Sequence, residues 1–363
     1  MVFNTSSAEI LDRSLDRDIH SALYKQIAYG CVGFLIAILV WRVGYEDLLK
    51  LSLPLFCVGI LLLALVFVPG IGQVRNGAHR WIKIGTFTLQ PSEFVKLLSL
   101  MVFVDAILKQ KGKQISLFVF AKIGIILAVP VFLVLIEPDN GTAAVMGVSL
   151  LPLFFISNIP IKFWVLPVAI LLVIGSFAAY NVPYVRGRLE VYLNPSLDLK
   201  GKGHQPHQAK IAAGSGKLFG RGPGGSYQKL TYLPEAQNDY IIAIFAEEFG
   251  YIGMIILIAL YMCFAAAGFS IAMHCKSLEG RYLASGITFL ISLQAFLNLG
   301  IVSGLLPSKG VNLPFFSQGG SSLIANIIGL TLLLNIEWKR KKSSSVPEGQ
   351  EGTSFLRKPL QTN

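Results

Sequence analysis

Leu117-Phe-Val-Phe-Ala-Lys-Ile-Gly-Ile-Ile-Leu-Ala-Val-Pro-Val-Phe-Leu-Val-Leu-Ile136 is an apolar run about as long as the roughly 20 residues that cross a bilayer. Working outward from it, comparable blocks run from Tyr24 to Trp41, Leu48 to Val68, Pro91 to Leu108 and Gly141 to Ser157. Four more follow: Lys162 to Asn181, Tyr251 to Ile271, Leu283 to Gly304 and Ser321 to Ile336. The chain of 363 residues is 53% hydrophobic and only 14% charged, outside the range of ordinary soluble domains. The expected fold class is therefore all-α, a polytopic transmembrane helical bundle with nine visible spans.

A net charge of +11 would suggest nucleic acid in a soluble protein, but here many Lys and Arg sit in short loops between apolar blocks, where they set orientation. No nucleic-acid partner is expected. If Lys339, Arg340, Lys341 and Lys342 are cytoplasmic, the loops with Arg42, with Lys109, Lys111 and Lys113, with Lys162, and with Lys276 and Arg281 are cytoplasmic too. The opposite loops are poorer in charge. The long segment of about 182–238 is then an outer loop, and long loops translocate largely regardless of charge. Residues 1–342 read as one membrane domain, and 343–363, rich in Ser, Pro, Gly and Gln, as a disordered cytoplasmic tail. Cys31, Cys57, Cys263 and Cys275 lack metal-type spacing and read as lipid-facing or packing residues. Met1 to Gln26 is polar and carries both signs of charge, unlike a cleavable signal peptide.

Ionisable groups in or beside spans cost about 2.5 to 3.5 kcal/mol each on insertion scales, so each asks for a reason. Glu93 and Lys96 stand three apart at the start of a span and share a helix face. They are either a self-neutralising ion pair or a cation facing a pyrophosphate with its carboxylate holding it in place. Arg80 and Trp81 put a guanidinium beside an indole, suited to phosphate or sugar contact, although both are also ordinary interface anchors. Asp239 lies where the long polar loop meets the membrane, in Leu233-Pro-Glu-Ala-Gln-Asn-Asp-Tyr240. Either Asn238 or Asp239 caps the helix that follows, or Asp239 is a water-accessible base for a sugar hydroxyl. Glu137 to Thr142, and Leu306 through Ser322 with Lys309 and Ser317, are dense in Pro and Gly. Such density marks non-helical backbone, tolerated at membrane depth only where it lines a cavity or is buried in protein.

In this order, Asn76 to Lys96, Glu137 to Thr142, Ala213 to Gly253, Gln294 to Asn298 and Pro307 to Ser322 resemble the SEDS family (shape, elongation, division and sporulation). The resemblance extends from Lys25 to Ile336. Ser308-Lys309-Gly310 resembles the division branch, since the elongation branch usually has no lysine there. Gln237-Asn238, His79 and Gln318 depart from the usual pattern.

The resemblance implies a peptidoglycan glycosyltransferase that polymerises lipid II, with Asp239 as the catalytic acidic residue. Glu93 and Lys96 would act in an outward cavity, with Arg80, Trp81, Lys309 and Ser317 as further substrate contacts. A divalent cation (Mg or Mn) is a candidate charge stabiliser, and no organic cofactor is expected. The implied partners are a class B penicillin-binding protein that crosslinks the product and other division proteins. The implied place is the bacterial inner membrane at the septum. The alternatives from other classes are a lipid II flippase and a non-catalytic scaffold. Clustering of the polar groups at the outer side favours the enzyme, because a transport path also needs polar groups through the midplane and inner half. Family members have ten spans with both ends cytoplasmic, so Met1 to Ala8 resembles the outer end of a first span. Either this member manages with nine spans or, as expected here, the native product begins about 20 residues upstream of Met1.

Overall fold

The computed structural model describes residues 21–75, 78–85, 87–181, 186–187, 190, 192–193, 204–227, 239–307 and 310–344. Met1 to Ala8 and the tail from 345 onward lie outside the described residues.

Each apolar block is helical, because in hydrocarbon the backbone must satisfy its own hydrogen bonds. The helices are α1 (Ser21–Val43), the short α2 (Tyr45–Lys50), α3 (Ser52–Leu65), α4 (Pro91–Leu108), α5 (Leu117–Ile136), α6 (Asn140–Ser149), α7 (Leu151–Ile156), α8 (Ile161–Asn181), α9 (His204–Ser215), α10 (Ile241–His274), α11 (Leu278–Val302) and α12 (Gly320–Ser344). Every one of the nine expected spans has its counterpart. Local chemistry sets several starts: Ser116 accepts from Val119 N at 3.3 Å, Asp139 from Thr142 N at 3.1 Å, and Ser277 from Gly280 N at 3.1 Å. The fifth span is split into α6 and α7 around Leu150, with a proline in the first turn of α7.

The core lies around α4, α11 and α12. From Val95 to Val104 most side chains of α4 are buried, and so are Leu283, Ala284, Ile287 and Ile291 of α11 and Leu332, Leu333 and Ile336 of α12. By contrast α1, α5 and the later part of α10 expose residues such as Phe34, Leu39, Ile125, Phe132, Ile256 and Leu260, the pattern of a lipid-facing shell. Cys31, Cys57 and Cys263 are exposed with that shell, whereas Cys275 is buried. Several deep polar groups at the core are tied to backbone: Ser99 donates to Val95 O, Thr331 to Ile327 O, and Asn335 links Trp41 O with Tyr45 N.

Two features go beyond the sequence expectations. A three-stranded antiparallel sheet of β1 (Gly72–Arg75), β2 (Ala78–Ile84) and β3 (Phe87–Leu89) sits between α3 and α4, with Gly72 opposite Ile82 and Ile82 opposite Leu89. It is docked by Tyr29, whose hydroxyl donates to Thr88 O and accepts from Thr88 N, and by Ser321 Oγ, which accepts from Gln90 N at 2.8 Å.

The second feature is that the helix expected after Asp239 and the span expected from Tyr251 form one element, α10, broken at Gly250 (φ 65°, ψ −163°). Residues 217–222 fill the break. Tyr251 N and Ile252 N donate to Lys217 O and Leu218 O, while Arg221 N and Gly222 N donate to Glu247 O and Glu248 O. An interrupted helix survives at membrane depth only when its freed groups find such partners.

Candidate functional site

Three non-helical segments meet at one end of the bundle: the Glu137–Asp139 turn between α5 and α6, the Asp239 turn before α10, and residues 310–317 between α11 and α12. A Cβ built on Gly141 would stand 3.2 Å from Gly310 O, and one built on Gly310 would stand 2.8 Å from Asp239 Oδ2. The Asp239 carboxylate therefore lies against the main chain of Gly310. The N-cap of α10 is Tyr240, which makes no side-chain capping bond, so Asp239 precedes the cap position instead of occupying it. It is neither fully buried nor fully exposed. Asn238 lies outside the described residues.

On the other side of the site, Arg80 leaves β2 and reaches the 137–139 turn. Its Nη2 donates to Pro138 O at 2.6 Å, its Nε to Glu137 O at 3.4 Å, and Nε lies 3.6 Å from Asp139 Oδ2. The guanidinium thus braces the turn that abuts Gly310. The Glu137 carboxyl is fully buried, neither oxygen finds a hydrogen-bond partner among the described residues, and its pKa is pushed up to about 8. Burial contributes most to that rise, the Asp139 charge adds to it, and Arg80 opposes it. Trp81, next on β2 and half-buried, lies opposite Gln73 of β1.

Glu93 and Lys96 do share a face of α4: Nζ donates to Oε1 at 2.9 Å, and both side chains are less than a tenth exposed. They line a cavity of about one water's size together with Gln294 of α11 and Asn326 of α12. Asn298 stands one turn beyond Gln294 on α11, about 6 Å along the axis, and donates to Asp239 O at 3.1 Å. A single face of α11 therefore joins the buried ion pair to the Asp239 turn.

Ser317 is buried and its hydroxyl accepts from Leu313 N at 2.9 Å, which shapes the 313–317 turn. Tyr261 of α10 pins the same turn by donating to Pro314 O at 2.6 Å. Lys309 lies outside the described residues. Among the described residues no three His, Cys, Asp or Glu side chains converge on a metal-sized site.

Sequence reasoning gave no role to the buried Glu247. It accepts from Ser226 Oγ and from Tyr227 N at 3.1 Å, with Arg221 Nε at 3.6 Å, so it locks residues 221–227 onto α10. The available signal was a charge in an apolar helix facing a basic, Gly-rich loop.

The profile of the FtsW, RodA and SpoVE cell cycle proteins matches residues 1–342. A probable peptidoglycan glycosyltransferase FtsW from Geobacter metallireducens is 36% identical over 347 residues, covering 94% of this chain and 91% of that protein. Among solved structures, a chain from work on the structural coordination of polymerization and crosslinking by a peptidoglycan synthase complex superposes with a TM-score of 0.75. It is 28% identical, with 93% of this chain and 95% of that one covered. Thermus thermophilus rod shape determining protein RodA superposes at 0.66, with 27% identity over 93% and 92% of the two chains. A bundle of apolar helices with this match along nearly its whole length belongs to the FtsW/RodA/SpoVE family of cell cycle proteins.

Proposed function

We propose that this multi-pass membrane protein is a peptidoglycan glycosyltransferase that polymerises lipid II during cell division. The observation that carries the reading is the Asp239 carboxylate, placed before the cap of α10 at the meeting point of three non-helical segments. In the reaction, the 4-hydroxyl of N-acetylglucosamine on one lipid-linked unit attacks the anomeric carbon of N-acetylmuramic acid on another. The bond to undecaprenyl pyrophosphate breaks, and an α-linked donor gives a β-linked product by inversion. A sugar hydroxyl is a weak nucleophile, and Asp239 accepts its proton as the new bond forms. Arg80, which braces the 137–139 turn, and Lys96 of α4, which shares its cavity with Gln294 one turn from Asn298, supply positive charge for the departing pyrophosphate. Lys309 and Trp81 are further substrate contacts in this reading, and Ser317 shapes the loop that carries Gly310.

The basic cluster Lys339 to Lys342 at the end of α12 supports a cytoplasmic C-terminus, with the site at the outer face of the bacterial inner membrane and the protein at the septum. A class B penicillin-binding protein is the proposed crosslinking partner. Likeness to a chain of a peptidoglycan synthase complex supports that pairing. Purified protein incubated with labelled lipid II tests the reading. Glycan chains support it. Redistribution of lipid II between leaflets without polymer points to a transporter, and neither outcome points to a scaffold.

A further inference from the structure

Asp239 belongs to a short turn that must be held in place if its carboxylate is to meet a hydroxyl reproducibly. The structure supplies the tie from far away in the sequence. Asn298 is almost completely buried on α11, and its Nδ2 donates both to Asp239 O at 3.1 Å and to Val311 O at 2.5 Å. A side-chain amide has two N–H donors, and here each serves one main-chain carbonyl. That pairing fixes which way the amide faces, since reversing it would set an oxygen against two carbonyl oxygens. The other end of the amide agrees: among the described residues Oδ1 is buried without a partner. A residue present only to fill space would carry no such atom, because an unmet buried acceptor costs free energy. What the amide contributes is the joint between the Asp239 turn and the 310–313 segment.

That joint matters because of what lies on the other side of it. A Cβ added to Gly310 would stand 2.8 Å from Asp239 Oδ2, 3.6 Å from Cγ and 3.7 Å from Oδ1. The carboxylate rests on a position that only glycine leaves open. We infer that Asn298 and Gly310 are positioning residues for Asp239, Asn298 by fixing its main chain against Val311 and Gly310 by leaving the space its carboxylate occupies. This inference rests on Asp239 being the base. Neither residue touches substrate. Both act by setting where the accepting oxygens stand, and a misplacement of about 1 Å at a reacting group costs on the order of a hundredfold in rate.

The test uses the full chain in detergent or nanodiscs, with Asn298→Ala, Gly310→Ala and Asp239→Asn measured beside wild type for lipid II polymerisation and thermal unfolding. Gly310→Ala leaves Asn298 in place, and its added Cβ first meets the tip of the Asp239 side chain, so it remains informative if Asn298→Ala folds poorly. In both positioning variants kcat per folded molecule is expected to fall at least about tenfold, with KM within about threefold of wild type. The acid limb of the kcat–pH profile is expected to move as well, because the base sits in altered surroundings; a purely structural defect lowers the whole profile without moving it. If Asp239→Asn is inactive while both positioning variants keep kcat within about twofold and an unmoved acid limb, the positioning inference is overturned and the base assignment stands. If Asp239→Asn polymerises at the wild-type rate, the base assignment has failed and this inference falls with it.

Discussion

Replacing Lys96 with Met removes half of a buried ion pair, and the structure bounds the consequence. Nζ lies 2.9 Å from Glu93 Oε1, with both side chains less than a tenth exposed. At an effective dielectric of about 20 that separation corresponds to a gross attraction of about 6 kcal/mol. Desolvation of the two ions offsets much of this, so the pair itself adds little net stability, yet removing one partner strands the other at a cost of ~3–5 kcal/mol. Lys96→Met is therefore expected to lower the unfolding temperature markedly. The double variant Glu93→Leu with Lys96→Met removes both charges and should recover most of the loss. Polymerisation is expected to stay lost in both, because Lys96 supplies charge at the leaving group. Thermal unfolding in detergent and gel analysis of chains made from labelled lipid II separate these effects. A double variant that polymerises at the wild-type rate refutes a substrate role for the pair, and a single variant within ~1 kcal/mol of wild type refutes the burial argument.

Glu137 gives a pH dependence of defined sign. Its folded pKa is raised from 4.5 to about 8, so the stability that its protonated form contributes is complete below about 4.5 and is lost as pH rises toward 8. The expected loss is roughly 1.4 kcal/mol per pH unit across that window, and Glu137→Gln should abolish the slope; parallel slopes for the two proteins in denaturation from about pH 5 to 8 would refute it. Gly250→Ala should be strongly destabilising, since φ 65° with ψ −163° is a glycine region and the added Cβ would stand 2.3 Å from Gly220 N. Backbone strain alone accounts for ~1–3 kcal/mol of that, and an alanine variant that accumulates and unfolds like wild type would contradict the reading of the break.

The helices were the most legible part of the chain because lipid is a demanding solvent. Pro91–Leu108 and Leu117–Ile136 have the bounds that the apolar runs suggest. A helix after Asp239 was legible, but not its continuity with the span from Tyr251, since Glu247 and Glu248 make residues 241–250 look like a poor span. Glu247 is satisfied by Arg221, Ser226 and Tyr227, some twenty positions upstream, beyond the reach of a local window. The sheet had a local signal that apolar blocks outshouted: β2 and β3 are short, β-branched and aromatic around Gly85.

At the site, the helical spacing of Glu93 and Lys96 predicted their contact, and the Pro- and Gly-dense segments predicted non-helical backbone. The pairing of Arg80 with the 137–139 turn spans more than fifty residues and had no local cue. Asn298 falls in a stretch that the family resemblance marks, but its two carbonyl partners are visible only once α11 is packed against the turns.

The central claim is that Asp239 is the base of a lipid II polymerase, and Asp239→Asn measures it most directly. The amide keeps the side-chain shape, removes the proton acceptor and leaves the α10 cap at Tyr240 untouched. With purified, folded protein and labelled lipid II, the account predicts glycan chains from wild type and none above background from the variant. Chains of wild-type length at the wild-type rate from Asp239→Asn would contradict it.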